Sequence, residues 1–300
     1  MEPIKITFLG TGSAIPTKTH NHSATLITYK DENILIDCGE GTQRQFKYAD
    51  ISINKITKLF ITHWHGDHIL GIPGLLQTLA FNDYSKTLHI YGPRGTKRFM
   101  QIIMETFIFK GRINYEIHEI GQGIIFENSD IKIEAHKMAH GAECFSYSFI
   151  EKEKLRLDSK KLKKLKLPNS PILKNLQQGK DITFNGKKIK APSVSYHQPQ
   201  RKATIILDTS MNDSAIIAAK DADVLICESS YTKEEEERAK ERDHLTATDA
   251  ATIAKKAKVK TLYLTHLSQR YEAIPHIIEK EAKKIFKNTK LAKDLLIVEI

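Results

Sequence analysis

The stretch THWHGDH, at residues 62–68, decides the fold of this chain and directly follows the apolar run LFI at residues 59–61. His63 and His65 are two positions apart, so both side chains leave an extended segment from the same face. Asp67 and His68 follow where the chain is expected to turn into a helix, and a second pair of side chains then faces the same point. Packing alone does not explain this crowding, because three close imidazoles are unfavourable unless a cation shares their lone pairs. The stretch therefore predicts a metal site at the end of a buried strand.

Short strand-like runs alternate with helical patterns in both halves of the chain. In the first half, runs such as Ile4–Leu9 and Ile34–Cys38 precede helical patterns such as Leu70–Phe81. The second half repeats this style, with runs that include Thr204–Asp208 and Thr261–Thr265. This interleaving predicts an α/β sandwich with helices outside the sheets.

The composition is that of a globular protein, with 40% hydrophobic and 27% charged residues among 300, which excludes a mainly disordered chain. No apolar run approaches the roughly 20 residues that a membrane helix needs. Cys38, Cys144 and Cys227 are odd in number and widely spaced, which favours buried thiols in a reducing compartment over a disulfide framework. We therefore expect a cytoplasmic protein with no membrane partner.

The net charge of +10 is concentrated in one segment, since residues 152–166 carry eight basic and two acidic residues, a net of +6. The α/β pattern is interrupted at about 151–189, where Asp158 or Ser159 can cap a short helix. This segment has too few apolar residues for a core of its own. We predict a single domain of residues 1–300 with an inserted basic arm at about 151–189. The basic residues of the arm that we expect to bind substrate are Lys152, Lys154, Arg156, Lys160, Lys161, Lys163, Lys164 and Lys166.

The motif at residues 62–68 resembles the HxHxDH signature of the metallo-β-lactamase superfamily, and the resemblance covers almost the whole chain. It implies an αβ/βα sandwich in which two mixed β-sheets pack between outer helices. It also implies a two-metal site completed by distant side chains at predicted strand ends. One metal is then held by two histidines of the motif and His140, the other by Asp67, His68 and His266, and Asp208 bridges them. The implied ligands are His63, His65, Asp67, His68, His140, Asp208 and His266.

Further residues around the motif have implied or alternative roles. His136 is an alternative to His140, although the string HGAECFSY at residues 140–147 aligns better with the superfamily. Asp37, in ILIDCGEG at residues 34–41, matches an Asp that supports the site by hydrogen bonding without binding metal. The remaining histidines, His89 and His118 among them, are assigned to the surface or to ordinary packing.

The types of ligand atom indicate which metal to expect. Imidazoles and carboxylates without thiolates suit zinc, with manganese and iron as alternatives. We expect two Zn²⁺ per subunit, with Mn²⁺ or Fe²⁺ possible, and we expect Asp67 both to bind metal and to orient the attacking water.

Several segments resemble tRNase Z, in its short form, more specifically. LGTGSAIP (9–16) and ILIDCGEGTQ (34–43) are close to its opening pattern, and LTHLSQRY (264–271) resembles its closing motif, in which Arg270 takes the place of a phosphate-contacting Arg. DHLT (243–246) matches a His-Ser-Thr motif with Leu in place of Ser, and CESS (227–230) keeps only the Glu of a His-Glu-Ala-Thr motif. The resemblance implies that His244 protonates the leaving 3′-oxygen and that Glu228 holds its tautomer.

The function implied by this resemblance is removal of the 3′ trailer from precursor tRNA by a zinc-dependent endoribonuclease. Metal-activated hydroxide is expected to attack the phosphodiester after the discriminator base, leaving a 3′-OH on the tRNA and a 5′-phosphate on the trailer. Members of the family grip the tRNA elbow with the arm and form homodimers, so the expected partners are precursor tRNA and a second copy of the chain. Two alternatives stay open: a small-molecule hydrolase of the same superfamily (lactonase, thioesterase or cyclic phosphodiesterase) and a non-catalytic RNA-binding module.

Overall fold

The computed structural model describes residues 2–109 and 113–300 as alternating strands and helices. The strands are β1 (Lys5–Gly10), β2 (Ala24–Tyr29), β3 (Glu32–Ile36), β4 (Lys58–Phe60), β5 (Thr87–Gly92), β6 (Asn114–Glu119), β7 (Gly123–Glu127), β8 (Ile131–Met138), β9 (Cys144–Glu151), β10 (Lys154–Leu157), β11 (Ile182–Phe184), β12 (Lys187–Ile189), β13 (Ser195–Gln198), β14 (Arg201–Ile206), β15 (Val224–Glu228), β16 (Thr261–Thr265), β17 (Thr289–Leu291) and β18 (Ile297–Glu299). The helices are α1 (Thr42–Tyr48), α2 (Gly66–Ile69), α3 (Ile72–Phe81), α4 (Thr96–Thr106), α5 (Ser159–Lys164), α6 (Ile172–Gln177), α7 (Ala191–Val194), α8 (Asp213–Ala219), α9 (Glu236–Glu241), α10 (Ala247–Lys256) and α11 (His276–Lys283). Within these described residues, no helix combines the length and the apolar character that crossing a membrane requires.

Two seven-stranded sheets form the framework. The first has the strand order β18-β1-β2-β3-β4-β5-β6, in which β18 to β3 pair antiparallel and β3 to β6 pair parallel. The second has the order β17-β16-β15-β14-β9-β8-β7, and β14 to β17 are parallel. Together with the helices that flank them, these sheets confirm the predicted αβ/βα sandwich.

The central strands are buried on both faces, which is why their sequences read as nearly continuous apolar runs. Leu59 and Ile61 pack in the cluster formed with α1, α3 and α4. Phe60 between them points the opposite way, and its ring centroid lies 5.2 Å from that of Tyr147 on β9 of the other sheet. The Tyr147 hydroxyl also donates a 2.6 Å hydrogen bond to the carbonyl oxygen of Ile61. Aromatic residues therefore fix the two sheets against each other close to the predicted metal motif.

The second sheet is covered on its outer face by α8, α10 and α11. Alanines supply much of the helix surface in this core, among them Ala215, Ala218, Ala250 and Ala254, all of which are fully buried. Small side chains let the helices approach the sheet closely, and α10 begins with a capping box between Thr246 and Asp249. This cap fixes the backbone just after His244, the predicted proton donor.

Residues 127–132 and 150–201 form a compact unit of their own, called the arm unit below. It contains the strand pairs β10–β13 and β11–β12 and the short helices α5, α6 and α7. The expectation that this segment has no core is wrong, because its sparse apolar residues gather once the hairpins fold back. The arm unit also continues past the predicted boundary at residue 189, since β13 pairs with β10. Its buried apolar residues are Leu167, Leu176, Ile182, Ile189, Ala191 and Val194.

Candidate metal centre

The structure brings all seven sequence-predicted ligands together, although they span about two hundred positions. They fall into two groups in which the potential ligand atoms lie within 4.8 Å of one another. One group contains two histidines of the 62–68 motif with His140, the other contains Asp67, His68 and His266, and Asp208 belongs to both. This grouping matches the one that the resemblance to the metallo-β-lactamase superfamily implies. The alternative ligand His136 is in neither group and lies 3.8 Å from Glu134.

Strand order explains this convergence. The 62–68 motif follows β4, Asp208 follows β14 and His266 follows β16, and each of these strands belongs to the parallel part of its sheet. Within each sheet the carboxyl ends of parallel strands lie at one edge, where ligand sites of open sheets are found, and the packing of the two sheets brings the edge that follows β4 to the edge that follows β14 and β16. The backbone at Asp37, Asp208 and His266 is left-handed, with φ of 59°, 32° and 57°. Such conformations are costly for residues other than glycine and concentrate at functional sites.

The turn that carries Asp67 and His68 is held by a close approach of two chain segments. A Cβ atom on Gly71 would lie 2.1 Å from the carbonyl oxygen of Gly39, so glycine is required where the two backbones meet. Cys38 donates from its backbone N–H to the carbonyl of His68 at 2.8 Å, and Gly71 donates to the carbonyl of Cys38 at 2.9 Å. The helix α2 is therefore anchored to the segment that follows β3.

The distances within the centre match those of a metal coordination shell. His140 Nε2 lies 3.2 Å from His65 Nδ1. The Asp208 carboxylate lies 3.5 Å from His63 Nε2, 3.4 Å from His68 Nε2 and 3.1 Å from His266 Nε2. Ligands about 2.0–2.1 Å from a tetrahedral zinc ion are separated from each other by about 3.3–3.4 Å. The seven side chains therefore have the spacing of atoms that share cations.

Three buried atoms in the centre have no hydrogen-bond partner, namely Nε2 of His63, Nε2 of His68 and Oδ1 of Asp208. Burying such atoms unpaired costs free energy, and a bound cation removes this cost. The opposite ring nitrogens are engaged: His63 Nδ1 faces Thr62 Oγ1 at 3.0 Å, and His140 Nδ1 donates to the Asp243 carbonyl at 3.1 Å. Nε2 is thus the nitrogen that His63 and His140 direct to the centre, so these donors fit metal ions.

Asp37 is fully buried and occupies the supporting position that the sequence predicted. Its carboxylate accepts hydrogen bonds from the Thr62 backbone N–H and the Thr62 hydroxyl, both at 2.8 Å. It also accepts one from His68 Nδ1 at 2.6 Å. Asp37 therefore fixes both the end of β4 and the tautomer of a ligand histidine.

The electrostatics of the centre favour ionised carboxylates. Burial and the neighbouring His68 hold the pKa of His63 well below its usual value. Burial alone would raise the pKa of Asp67, but the charge of His68 and a hydrogen bond from His266 lower it. Burial opposes the charged form of His68 as well, yet Asp208, Asp37 and Asp67 raise its pKa well above the usual value. The carboxylates thus give the centre a negative electrostatic potential, which a bound cation would neutralise.

His244 and Glu228 lie beside the metal ligands. His244 Nδ1 is 3.1 and 3.0 Å from the two oxygens of Glu228, and its ring centroid is 5.5 Å from those of His140 and His266. Burial disfavours the imidazolium, but the charge and hydrogen bonds of fully buried Glu228 raise the pKa of His244 to about 9. The predicted pair is therefore assembled, with His244 protonated at neutral pH.

Sequence reasoning missed Ser230, which joins this pair to the metal ligands. Its hydroxyl donates to Glu228 Oε2 at 2.8 Å and lies 3.0 Å from Nδ1 of His266. Because the hydroxyl hydrogen is directed to the carboxylate, the imidazole N–H donates to the serine oxygen and leaves Nε2 for the centre. The only sequence signal was the string CESS at residues 227–230, in which Ser230 stands where the family motif has Thr.

Arg270 pairs with Glu235 in the structure. Its guanidinium carbon lies 5.5 Å from the ring centroid of Tyr231, and Nε donates to Ser268 Oγ at 3.2 Å. Glu235 also accepts a 2.7 Å hydrogen bond from the Tyr271 hydroxyl. The predicted contact of Arg270 with RNA phosphate stays a prediction, and this arginine would exchange its carboxylate partner to make it.

The basic residues of the arm separate into two sets. Lys152 pairs with Glu127 at 2.6 Å, Lys154 pairs with Asp130, and Arg156 donates to Gln198 at 2.9 Å. The other five are exposed on helix α5 or just after it, and Asp158 caps this helix by accepting from two backbone N–H groups. The exposed set, called the α5 lysines below, consists of Lys160, Lys161, Lys163, Lys164 and Lys166.

Comparison with known proteins gives similarity over the whole chain. Residues 4–167 match the family model described as Anti-Pycsar protein Apyc1. The chain is 37% identical to ribonuclease Z of Methanosarcina acetivorans, covering 99% of this chain and 98% of that protein. It is 38% identical to ribonuclease Z of Methanothermobacter thermautotrophicus, covering 99% and 97%. The crystal structure of human tRNase Z, short form, superposes with a TM-score of 0.72 and 28% identity over 98% of both chains.

Proposed function

The chain belongs to the ribonuclease Z family, and from this premise we propose that it removes the 3′ trailer from precursor tRNA. The proposal depends on one observation above all: seven ligand-type side chains converge beside the His244–Glu228 pair. Hydrolysis of the phosphodiester after the discriminator base leaves a 3′-OH on the tRNA and a 5′-phosphate on the trailer.

The centre holds two divalent cations in this proposal, and its imidazole and carboxylate donors suit zinc best. His63, His65 and His140 would hold one ion, Asp67, His68 and His266 would hold the other, and Asp208, which belongs to both groups, would contribute to each. When bound, such ions would lower the pKa of a coordinated water to near neutrality and offset the charge that develops on the phosphoryl group.

The chain's own side chains then position and move protons. The Asp67 carboxylate accepts a hydrogen bond from the attacking water and orients it towards phosphorus. Protonated His244 donates its Nε2 proton to the leaving 3′-oxygen. Glu228 accepts from Nδ1 of the same ring, so that the transferable proton is on the nitrogen that faces the substrate. Arg270 neutralises a substrate phosphate after release from Glu235.

The arm unit binds the RNA backbone in this proposal. The α5 lysines contact phosphates, which positions the RNA without reading its bases.

By family, we further propose a homodimer, which light scattering of the purified chain tests directly. We place the protein in the cytoplasm, whose reducing conditions fit three buried free thiols, Cys38, Cys144 and Cys227.

A second candidate function is hydrolysis of a small molecule on the same metal centre. Residues 4–167 match the family described as Anti-Pycsar protein Apyc1, so the ligand-type residues of the first half of the chain do not by themselves distinguish the two candidates. The matched segment ends before Asp208, His244 and His266, however. It therefore contains neither the bridging carboxylate nor the proton donor of the proposed ribonuclease.

Incubation of the purified chain with a tRNA that carries a 3′ extension tests the proposal. We expect a single cut after the discriminator base, loss of cutting with a chelator and recovery when Zn²⁺ is returned. His140→Ala should abolish cutting, while the matched variant His136→Ala, altered on β8 outside both ligand groups, should retain it. Hydrolysis of lactones, thioesters or cyclic nucleotides without RNA cleavage would support the second candidate, and RNA binding without any hydrolysis would refute both.

A further inference from the structure

A second set of metal-ligand side chains lies on β5 and β6 and shares no residue with the centre described above. His89, Glu116 and His118 place one potential ligand atom each within 4.8 Å of the others. Among residues 2–109 and 113–300, this is the one such group that the proposed catalytic centre does not include. From the sequence alone, both histidines are expected at the surface or in ordinary packing.

Strand register brings these three residues to one face of the sheet. The parallel strands β5 and β6 pair His89 with Glu116 and Tyr91 with His118. Because alternate residues of a strand point to the same side, all four side chains share that side. The ring of Tyr91 stacks on His118 with centroids 4.5 Å apart and on Phe60 with centroids 4.6 Å apart. The aromatic stack thus holds one imidazole in a fixed orientation.

The distances among the ligand atoms are those of a coordination triangle. His89 Nδ1 lies 3.3 Å from His118 Nε2 and 3.4 Å from Glu116 Oε2, and the third side of the triangle is 3.9 Å. Two of these values equal the separation of about 3.3–3.4 Å expected for ligands of a tetrahedral zinc ion. Ligand pairs in the candidate metal centre have similar separations, such as the 3.2 Å between His65 Nδ1 and His140 Nε2.

The environment leaves room for an ion to enter and for solvent to complete its shell. The side chains of His89, His118 and Glu116 are 36%, 39% and 62% exposed. Lys58, which pairs with His89 across β4 and β5, lies 2.5 Å from Glu32 and over the ring of Phe126. The nearest cation on the neighbouring strand is therefore engaged with other groups.

We propose that His89, Glu116 and His118 form a third cation site, which binds a transition ion such as Zn²⁺, Co²⁺ or Ni²⁺. Two imidazoles and one carboxylate suit these ions, whereas Ca²⁺ and Mg²⁺ prefer shells of oxygen atoms. The ion joins β5 to β6, the edge strand of the first sheet. An edge strand presents unpaired backbone groups, so a cross-strand ligand stabilises a vulnerable part of the sheet.

Metal analysis of the purified full-length chain tests this site. After equilibration with Zn²⁺ buffered at low micromolar free concentration, His118→Ala should contain one ion per chain fewer than the parent. Glu116→Gln, which keeps the side-chain shape, should need at least tenfold more free Zn²⁺ to regain that ion. The matched control His197→Ala, which alters an exposed histidine beside Glu153, should keep the parental number.

Co²⁺ provides a second readout because tetrahedral Co²⁺ absorbs strongly in the visible range. The parent should gain absorption when its last Co²⁺ ion binds. His118→Ala should lack this gain. Equal metal content in the parent and in His118→Ala would overturn the proposal. The readout is a difference in bound ions between two variants, so it is independent of RNA cleavage and of how many ions the catalytic centre holds.

Discussion

Replacing the five α5 lysines by glutamine tests whether the arm unit holds RNA through phosphate contacts. Leu162 packs against the arm core, and residues two positions away lie about 160° around a helix. Lys160 and Lys164 therefore point away from that core. Lys161 and Lys163 lie on either side of Leu162. One of them can therefore face an RNA backbone together with Lys160 and Lys164, which makes at least three of the five α5 lysines. Lys152 and Lys154 stay unchanged, because their charges are already paired within the arm unit.

The expected magnitude follows from counterion release. Each phosphate contact contributes about 0.7–0.9 to the slope of log Kd against log salt concentration. Loss of three to five contacts should therefore reduce the slope by about 2 to 4.5. Between 50 and 200 mM salt, the affinity of the parent should then fall roughly 20- to 500-fold more than that of the variant. The difference between the two proteins should be largest at low salt, where screening is weakest.

Fluorescence anisotropy with labelled precursor tRNA at four or more salt concentrations measures this slope. A control variant removes the same charge from exposed lysines outside the arm unit, and circular dichroism checks that both variants are folded. The control should bind with the parental slope. A slope change below 1 in the α5 variant, or an equal change in the control, would refute phosphate contacts by these lysines. The control replaces Lys255, Lys256, Lys280, Lys284 and Lys287 by glutamine.

Three further variants test the centre. Asp37→Asn removes the acceptor that fixes His68, so Zn²⁺ affinity should fall about 10- to 100-fold in competition with a chromophoric chelator. Asp67→Ala should reduce turnover more than RNA affinity, because it removes the group that orients the water; parental turnover with unchanged metal content would contradict this role. Glu228→Gln removes the charge that raises the pKa of His244 to about 9. Since His244 acts while protonated, kcat should begin to decline at lower pH in this variant than in the parent, and an unshifted profile would exclude His244 as the donor.

The local motif was predictable because its chemistry is contiguous in sequence. THWHGDH has its ligands within six residues, and the spacing of His63 and His65 follows from a strand end. The distant ligands Asp208 and His266 came from resemblance alone, since their meeting depends on the order of parallel strands in a second sheet. The sequence of a single strand does not specify which other strand it will pair with. The same limit hid the third cation site, whose histidines lie on two strands that were not predicted.

The arm core was missed for a different physical reason. Apolar residues between positions 157 and 194 follow neither a strand nor a long helix period, because the elements there are only three to six residues long. Periodicity needs longer windows to be visible. Leu176 and Val194 become neighbours in one cluster only after the short helices and hairpins have folded back. Segments made of short elements therefore conceal their cores from pattern-based reasoning.

The catalytic centre combines several features that oppose folding, and together they explain why its residues converge there. Asp37, Asp208 and His266 have left-handed backbone conformations, which cost of order 1–3 kcal/mol each. Buried lone pairs of His63 and His68 have no protein partner. A sequence selected only for stability would place glycine at the left-handed positions, which relieves the strain, and apolar side chains at the buried histidines, which removes the desolvation cost. In the proposed function, cations that bind these ring nitrogens and carboxylates would offset the cost of burying them.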